Sequence, residues 1–191
     1  MREYIEEEFN NHLKALDAVK SKFHTLEKIS QVAINVLQDN KKIIIFGNGG
    51  SAADAQHIAA ELSGRYKRDR LGLAAISLTT DSSALTAIAN DFGFSSIFQR
   101  QVEAIANSGD LIIGISTSGN SQNVLKAIQF ANKMNCKTVS FTGFDGGEIS
   151  KESDINFNVD VSDTPRVQEM HILAGHIICE LIDRFHNSLI K

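Results

Sequence analysis

Proline is nearly absent: the 191-residue chain has one, where an average composition of about 5% would supply roughly nine or ten. Little therefore stops a helix from running long. Cysteine is as scarce. Cys136 and Cys179 lie 43 positions apart with no Cys-x-x-Cys spacing, which excludes a disulfide framework and a cysteine zinc site and leaves two small core residues in a reducing cytosol. Long apolar runs are missing too. Nothing approaches the ~18 residues of a membrane span, and the first nine residues carry four acidic side chains where a signal peptide needs an apolar segment. Positive charge is short: 19 Lys and Arg stand against 23 Asp and Glu, for a net charge of -4. That balance speaks against a nucleic-acid backbone as partner. The one dense basic stretch, Arg65-Tyr-Lys-Arg-Asp-Arg70, reads as a solvated loop or a subunit contact. A cytoplasmic protein without nucleic-acid or membrane partners is expected.

What is present suits one ordinary globular domain: 42% hydrophobic and 22% charged residues, with no low-complexity linker. Ile5, Phe9, Leu13, Leu16, Val19 and Phe23 step by three or four, the face of an amphipathic helix, and Ile29, Val32, Ala33, Val36 and Leu37 mark a second. At Lys42-Ile-Ile-Ile-Phe46 the period breaks into a short apolar β-branched run, the pattern of a strand buried on both faces. Leu73 to Leu78, Leu111 to Ile115, Thr138 to Phe141 and residues 155–161 repeat it, each followed by a turn or a helical segment. The last helix carries Val167, Ile172, Ile178, Leu181 and Phe185, and Pro165 stands at its start, where a missing N–H costs little. The pattern predicts an α/β fold: a three-layer, doubly wound, mostly parallel sheet over 41–191 behind a helical extension over 1–40. Ligands of such sheets bind at the carboxyl ends of the strands, which directs attention to the loops at 47–51, 79–83, 116–121 and 142–147.

Gly47-Asn-Gly-Gly-Ser51 follows a strand and opens a helix, and Ser51 to Asp54 fits capping-box spacing. It matches a dinucleotide fingerprint only in part, and a plain tight turn explains it equally well. Ser116-Thr-Ser-Gly-Asn-Ser121 says more. Four hydroxyls at the mouth of a strand and the start of a helix exceed what a turn and a cap require, while hydroxyls and helix-start amides together suit a phosphate. With no Lys or Arg in the loop, a monophosphate held by neutral donors is the expected ligand.

His57 and Glu61 are four apart on one helical face, able to share a divalent metal or to do acid–base work. On the last helix, Gln168 and His176 flank His171. Eight residues correspond to about 12 Å of helix, too far for both side chains to meet easily at one point, so a site shared between subunits is inferred. His12, His24 and His186 carry no partner pattern and read as surface or core residues.

Taken with Thr86-Ala-Ile-Ala-Asn-Asp91, Thr142-Gly-x-Asp-Gly-Gly147 and Arg166-Val-Gln-Glu-x-His171, these motifs resemble in order and spacing the phosphoheptose isomerases of the sugar isomerase (SIS) domain family, over nearly the whole chain. The resemblance implies a single SIS domain, flavodoxin-like in its sheet, with N-terminal helices that form the oligomer. It also implies a homotetramer with active sites at subunit interfaces and one zinc per subunit held by His57, Glu61, Gln168 and His176. Sedoheptulose 7-phosphate would be held by Asn48, Gly49, Gly50, Glu61, Asn90, Asp91, Ser116, Thr117, Ser118, Ser121 and Gln168. Its conversion to D-glycero-D-manno-heptose 7-phosphate, for lipopolysaccharide or capsule, would use Glu61 as base and His176 as acid. Asp163 lies where relatives vary and receives no role. The competing function is a non-catalytic SIS binding module of the replication-initiator-associating type, in which the resemblance implies that Glu61 and His176 would be replaced. A sugar-phosphate sensor is the third.

Overall fold

In the computed structural model, which describes residues 1–185, the apolar runs become five strands: β1 (Ile43–Gly47), β2 (Ala75–Ser77), β3 (Leu111–Ser116), β4 (Lys137–Gly143) and β5 (Ile155–Val159). Their order is β2-β1-β3-β4-β5, the flavodoxin-like order of a doubly wound sheet. Every neighbouring pair is parallel, so the sheet is wholly rather than mostly parallel.

The two-residue alternation of each strand decides the layers. Ile43 and Ile45 of β1 face a core built with α2 (Phe23–Gln38), α3 (Gly50–Ser63) and α8 (Thr164–Phe185). Ile44 and Phe46 face a second core with α5 (Ile97–Ile105) and α6 (Gln122–Lys133). With both faces covered, all five residues of β1 are buried, which is why the run reads as continuously apolar. From β1 the chain goes out to β2 and then returns past β1 to β3. The strand order reverses there, and the resulting crevice lies at the carboxyl ends of β1 and β3.

Two helices touch the cores along one edge and expose most of their length. Along α1 (Arg2–Val19) the stripe Ile5, Phe9 and Leu13 is 58%, 69% and 55% exposed, and only Ala15 and Val19 are buried. In α4 (Ser82–Phe92) no residue is buried. The short α7 (Gly147–Glu152) closes the loop after β4. At the start of α8 the Val167 amide donates to Asp163 O at 3.0 Å, which leaves Pro165 in the first turn, where its lack of an N–H is harmless. Among the described residues no helix is long and apolar enough to cross a membrane. His186 lies outside the described residues.

Candidate active site

Gly49, with φ +57°, turns the chain from β1 into α3 and serves as the helix N-cap without a side-chain bond. The capping box expected at Ser51 and Asp54 does not form. The helix already begins at Gly50, so Ser51 is buried inside its first turn. Asp54 Oδ2 is instead buried without a partner, and burial pushes this carboxyl up to about 6, against the pull of nearby His57. Asn48 points across the crevice. Its Nδ2 donates to Asn123 Oδ1 at 2.9 Å, and Asn123 Nδ2 returns a bond to Asn48 Oδ1 at 2.8 Å. Asn123, 2% exposed in the first turn of α6, was not anticipated from sequence.

The hydroxyl loop gathers as its composition suggested. Ser116 Oγ donates to Ser121 Oγ at 2.9 Å and lies 3.5 Å from Ser118 Oγ. Ser121 is the N-cap of α6 but makes no side-chain cap bond. Its hydroxyl therefore joins the cluster, and the helix start keeps its anion-binding character. The loop after β4 supports it from behind. Gly146 and Gly147 take φ of +87° and +55°, and a Cβ on Gly119, itself at φ +65°, would lie 2.2 Å from Gly146 O. Ile149 N donates to Gly119 O and Glu148 N to Asn120 Oδ1, at 2.9 and 3.1 Å. Thr117 is half-buried in this loop and Ser118 is exposed.

α3 and α8 run side by side in the same direction. A Cβ on Gly50 would lie 2.6 Å from Gln168 Nε2, and one on Gly175 would lie 2.6 Å from Ile58. Beside the second contact His57 and His176 meet, their Nε2 atoms 2.9 Å apart, one ring donating and the other accepting. Glu61 Oε1 is 3.4 Å from His57 Nε2. Imidazole nitrogen and carboxylate oxygen are donor types that zinc accepts. Among the described residues no three His, Cys, Asp or Glu side chains form a metal-holding cluster, and in this arrangement the two imidazoles bond to each other. His176 reaches His57 within one chain, while Gln168 rests against the glycine loop two turns earlier on α8, as the helical rise requires.

Asn90 and Asp91 lie on exposed α4. Asn90 Nδ2 donates to Asp91 Oδ1 at 2.8 Å, and neither side chain joins the cluster among the described residues. The basic stretch is solvated only in part: Arg65, Lys67 and Arg68 are exposed, but the Arg70 side chain is fully buried against Asp183. His12 donates from Nδ1 to Glu169 at 2.7 Å. His24 stands exposed beside Glu27. His171, fully buried, donates from Nε2 to Thr142 O at 2.9 Å, leaving Nδ1 without a partner. Burial lowers its pKa to about 4. Cys136 and Cys179 are free and buried.

A family model described as the SIS domain matches residues 7–143. The chain is 54% identical over 184 residues to the phosphoheptose isomerase of Aliarcobacter butzleri, covering 96% of this chain and 97% of that protein. Among solved structures, the phosphoheptose isomerase of Neisseria gonorrhoeae superimposes with a TM-score of 0.91 at 42% identity, covering 96% of this chain and 98% of that one. A phosphoheptose isomerase from Francisella tularensis gives a TM-score of 0.92 at 31% identity, over 95% and 97% of the two chains.

Proposed function

The chain belongs to the SIS domain family, and from that premise we infer that it is an aldose–ketose isomerase converting sedoheptulose 7-phosphate to D-glycero-D-manno-heptose 7-phosphate, a heptose precursor for lipopolysaccharide or capsule. The observation that carries the reading is the meeting of His57, Glu61 and His176 on helices that also flank an anion-binding crevice. Proton transfer and phosphate recognition are thereby offered within one fold.

The reaction takes a proton from C1, passes through an enediol and delivers a proton to C2, while the hydroxyl proton is exchanged between O2 and O1. Glu61 is the base for the carbon-bound proton. His176, an imidazole able both to give and to take a proton, serves the oxygens. The phosphate rests on Ser116, Thr117, Ser118 and Ser121, and the sugar lies along Asn48, Gly49, Gly50 and Gln168. Zinc, one per subunit, would be held by His57, Glu61, Gln168 and His176, and when bound it would polarise the substrate carbonyl. The stand-off between Gln168 and His176 in one chain supports sites completed between subunits of a homotetramer. The uncovered α1 stripe and the unburied α4, with Asn90 and Asp91, support the same arrangement. Two free, buried thiols fit a cytoplasmic setting.

Incubation with sedoheptulose 7-phosphate, followed by NMR, should show the aldose accumulating to equilibrium. Binding without conversion would point to a sensor, and neither binding nor conversion to a binding module. The presence of both Glu61 and His176 opposes the latter. Glu61→Gln should abolish turnover and leave the circular dichroism spectrum unchanged; retained activity would remove Glu61 from the mechanism.

A further inference from the structure

Residues 64–72 form a strap that folds back from the end of α3 and lies along α8. Arg70 Nε donates to Asp183 Oδ1 at 2.7 Å, and both side chains are fully buried. The rest of the guanidinium serves the end of α3: Nη1 donates to Leu62 O at 2.8 Å and Nη2 to Glu61 O at 2.8 Å. The second Asp183 oxygen accepts the Lys67 and Arg68 amides at 3.1 and 3.2 Å. A buried ion pair in which both charges are also hydrogen-bonded is hard to open, because either partner alone would be left as a bare charge.

Held at its far end by this pair, the strap lays Tyr66 flat on His176. The ring centroids are 5.8 Å apart and the planes 24° from parallel. His57 meets the same imidazole edge-on, at 5.1 Å and 74°. Lys67 reaches Glu180 at 3.2 Å. Tyr66, Lys67 and Arg70 thus engage His176, Glu180 and Asp183, three positions down one face of α8.

We propose that Tyr66 is a positioning residue for His176, kept in place by the Arg70–Asp183 pair. The proposal rests on the reading of His176 as a working residue of the isomerase site. An imidazole on a helix can rotate about its side-chain bonds. A ring stacked on one face and a second ring at its edge hold its plane, so that Nε2 stays turned toward His57. Tyr66 follows the carboxyl end of α3, and the glycine loop precedes its amino end, so the effect falls on turnover and spares substrate binding.

Tyr66→Phe keeps the ring; Tyr66→Leu and Tyr66→Met fill similar space without one. The Phe variant should stay within about twofold of the parent in kcat and KM, while the ringless variants lose about tenfold or more in kcat at a KM changed less than about threefold. The second readout is the ¹⁵N-histidine ring spectrum, with the His176 signal assigned by its absence from His176→Gln. That signal should carry the ring-current shift of a stacked aromatic in the parent and the Phe variant and lose it in the ringless ones. A ringless variant with parental kcat, or a Phe variant that falls with them, overturns the proposal. If neither ringless variant folds, the parent's spectrum decides: a His176 signal without the shift overturns it. An inactive parent that shows the shift refutes the isomerase reading and leaves the strap standing.

Discussion

Alanine in place of glycine tests different things at Gly50 and Gly119. At Gly50 the new methyl meets the carboxamide of Gln168 at 2.6 Å, the free end of a side chain that can swing aside. Gly50→Ala should therefore stay within about 0.5 kcal/mol of the parent in denaturant unfolding, while kcat/KM falls because Gln168 has been moved. At Gly119 the methyl meets the backbone oxygen of Gly146 at 2.2 Å, on a residue held at φ +65°. Nothing there can rotate away. Gly119→Ala should cost about 1–3 kcal/mol from the conformation alone and raise KM as the hydroxyl loop loses its backing. The sequence made the hydroxyls of 116–121 legible because four of them exceed what a turn needs. It could not reveal Asn123, whose partner is 75 positions away, since an amide in the first turn of a helix carries no mark of the group it will meet. Arg70 departs from the expectation of a solvated loop for a similar reason. A charge run is usually solvated, and the carboxylate that buries this one lies 113 residues downstream.

At the scale of the element, α8 couples the site to acid stability through His171. Its imidazole is buried neutral, packed near Phe141 and Phe157, with a folded pKa of about 4 against an ordinary 6.5. Below 6.5 the unfolded chain takes up a proton that the folded chain refuses, so this contribution to stability is whole above pH 6.5 and drains away as pH falls toward 4. Urea unfolding should give a stability roughly 2 kcal/mol lower at pH 5 than at pH 8 from this residue. His171→Gln, which can still donate to Thr142 O, should flatten the slope. The elements themselves were readable where burial is simple. Parallel strands covered on both faces appear as unbroken β-branched runs, and the glycine after β1 marks the start of α3. Ser51 has the spacing of a cap, yet Gly49, a glycine at positive φ, takes that post two residues earlier.

For the whole molecule, the apolar stripe of α1 is the feature that one chain leaves unexplained. Ile5, Phe9 and Leu13 have helical spacing, which sequence alone cannot assign to an internal core or to a neighbouring subunit. Phe9→Glu alters a side chain that is 69% exposed, so the isolated fold should keep its melting behaviour. Sedimentation should nevertheless show a smaller species than the parent, with turnover reduced in step. A fully active monomer would exclude a shared site. The paired amides of Asn48 and Asn123 have a consequence of another kind. They tie the loop after β1 to the helix that follows β3 with two neutral bonds, and neither group ionises at any pH the fold survives. This tie between the two halves of the crevice is thus indifferent to acidity, and any pH dependence of turnover has to come from groups that do ionise, Asp54 with its carboxyl at about 6 among them.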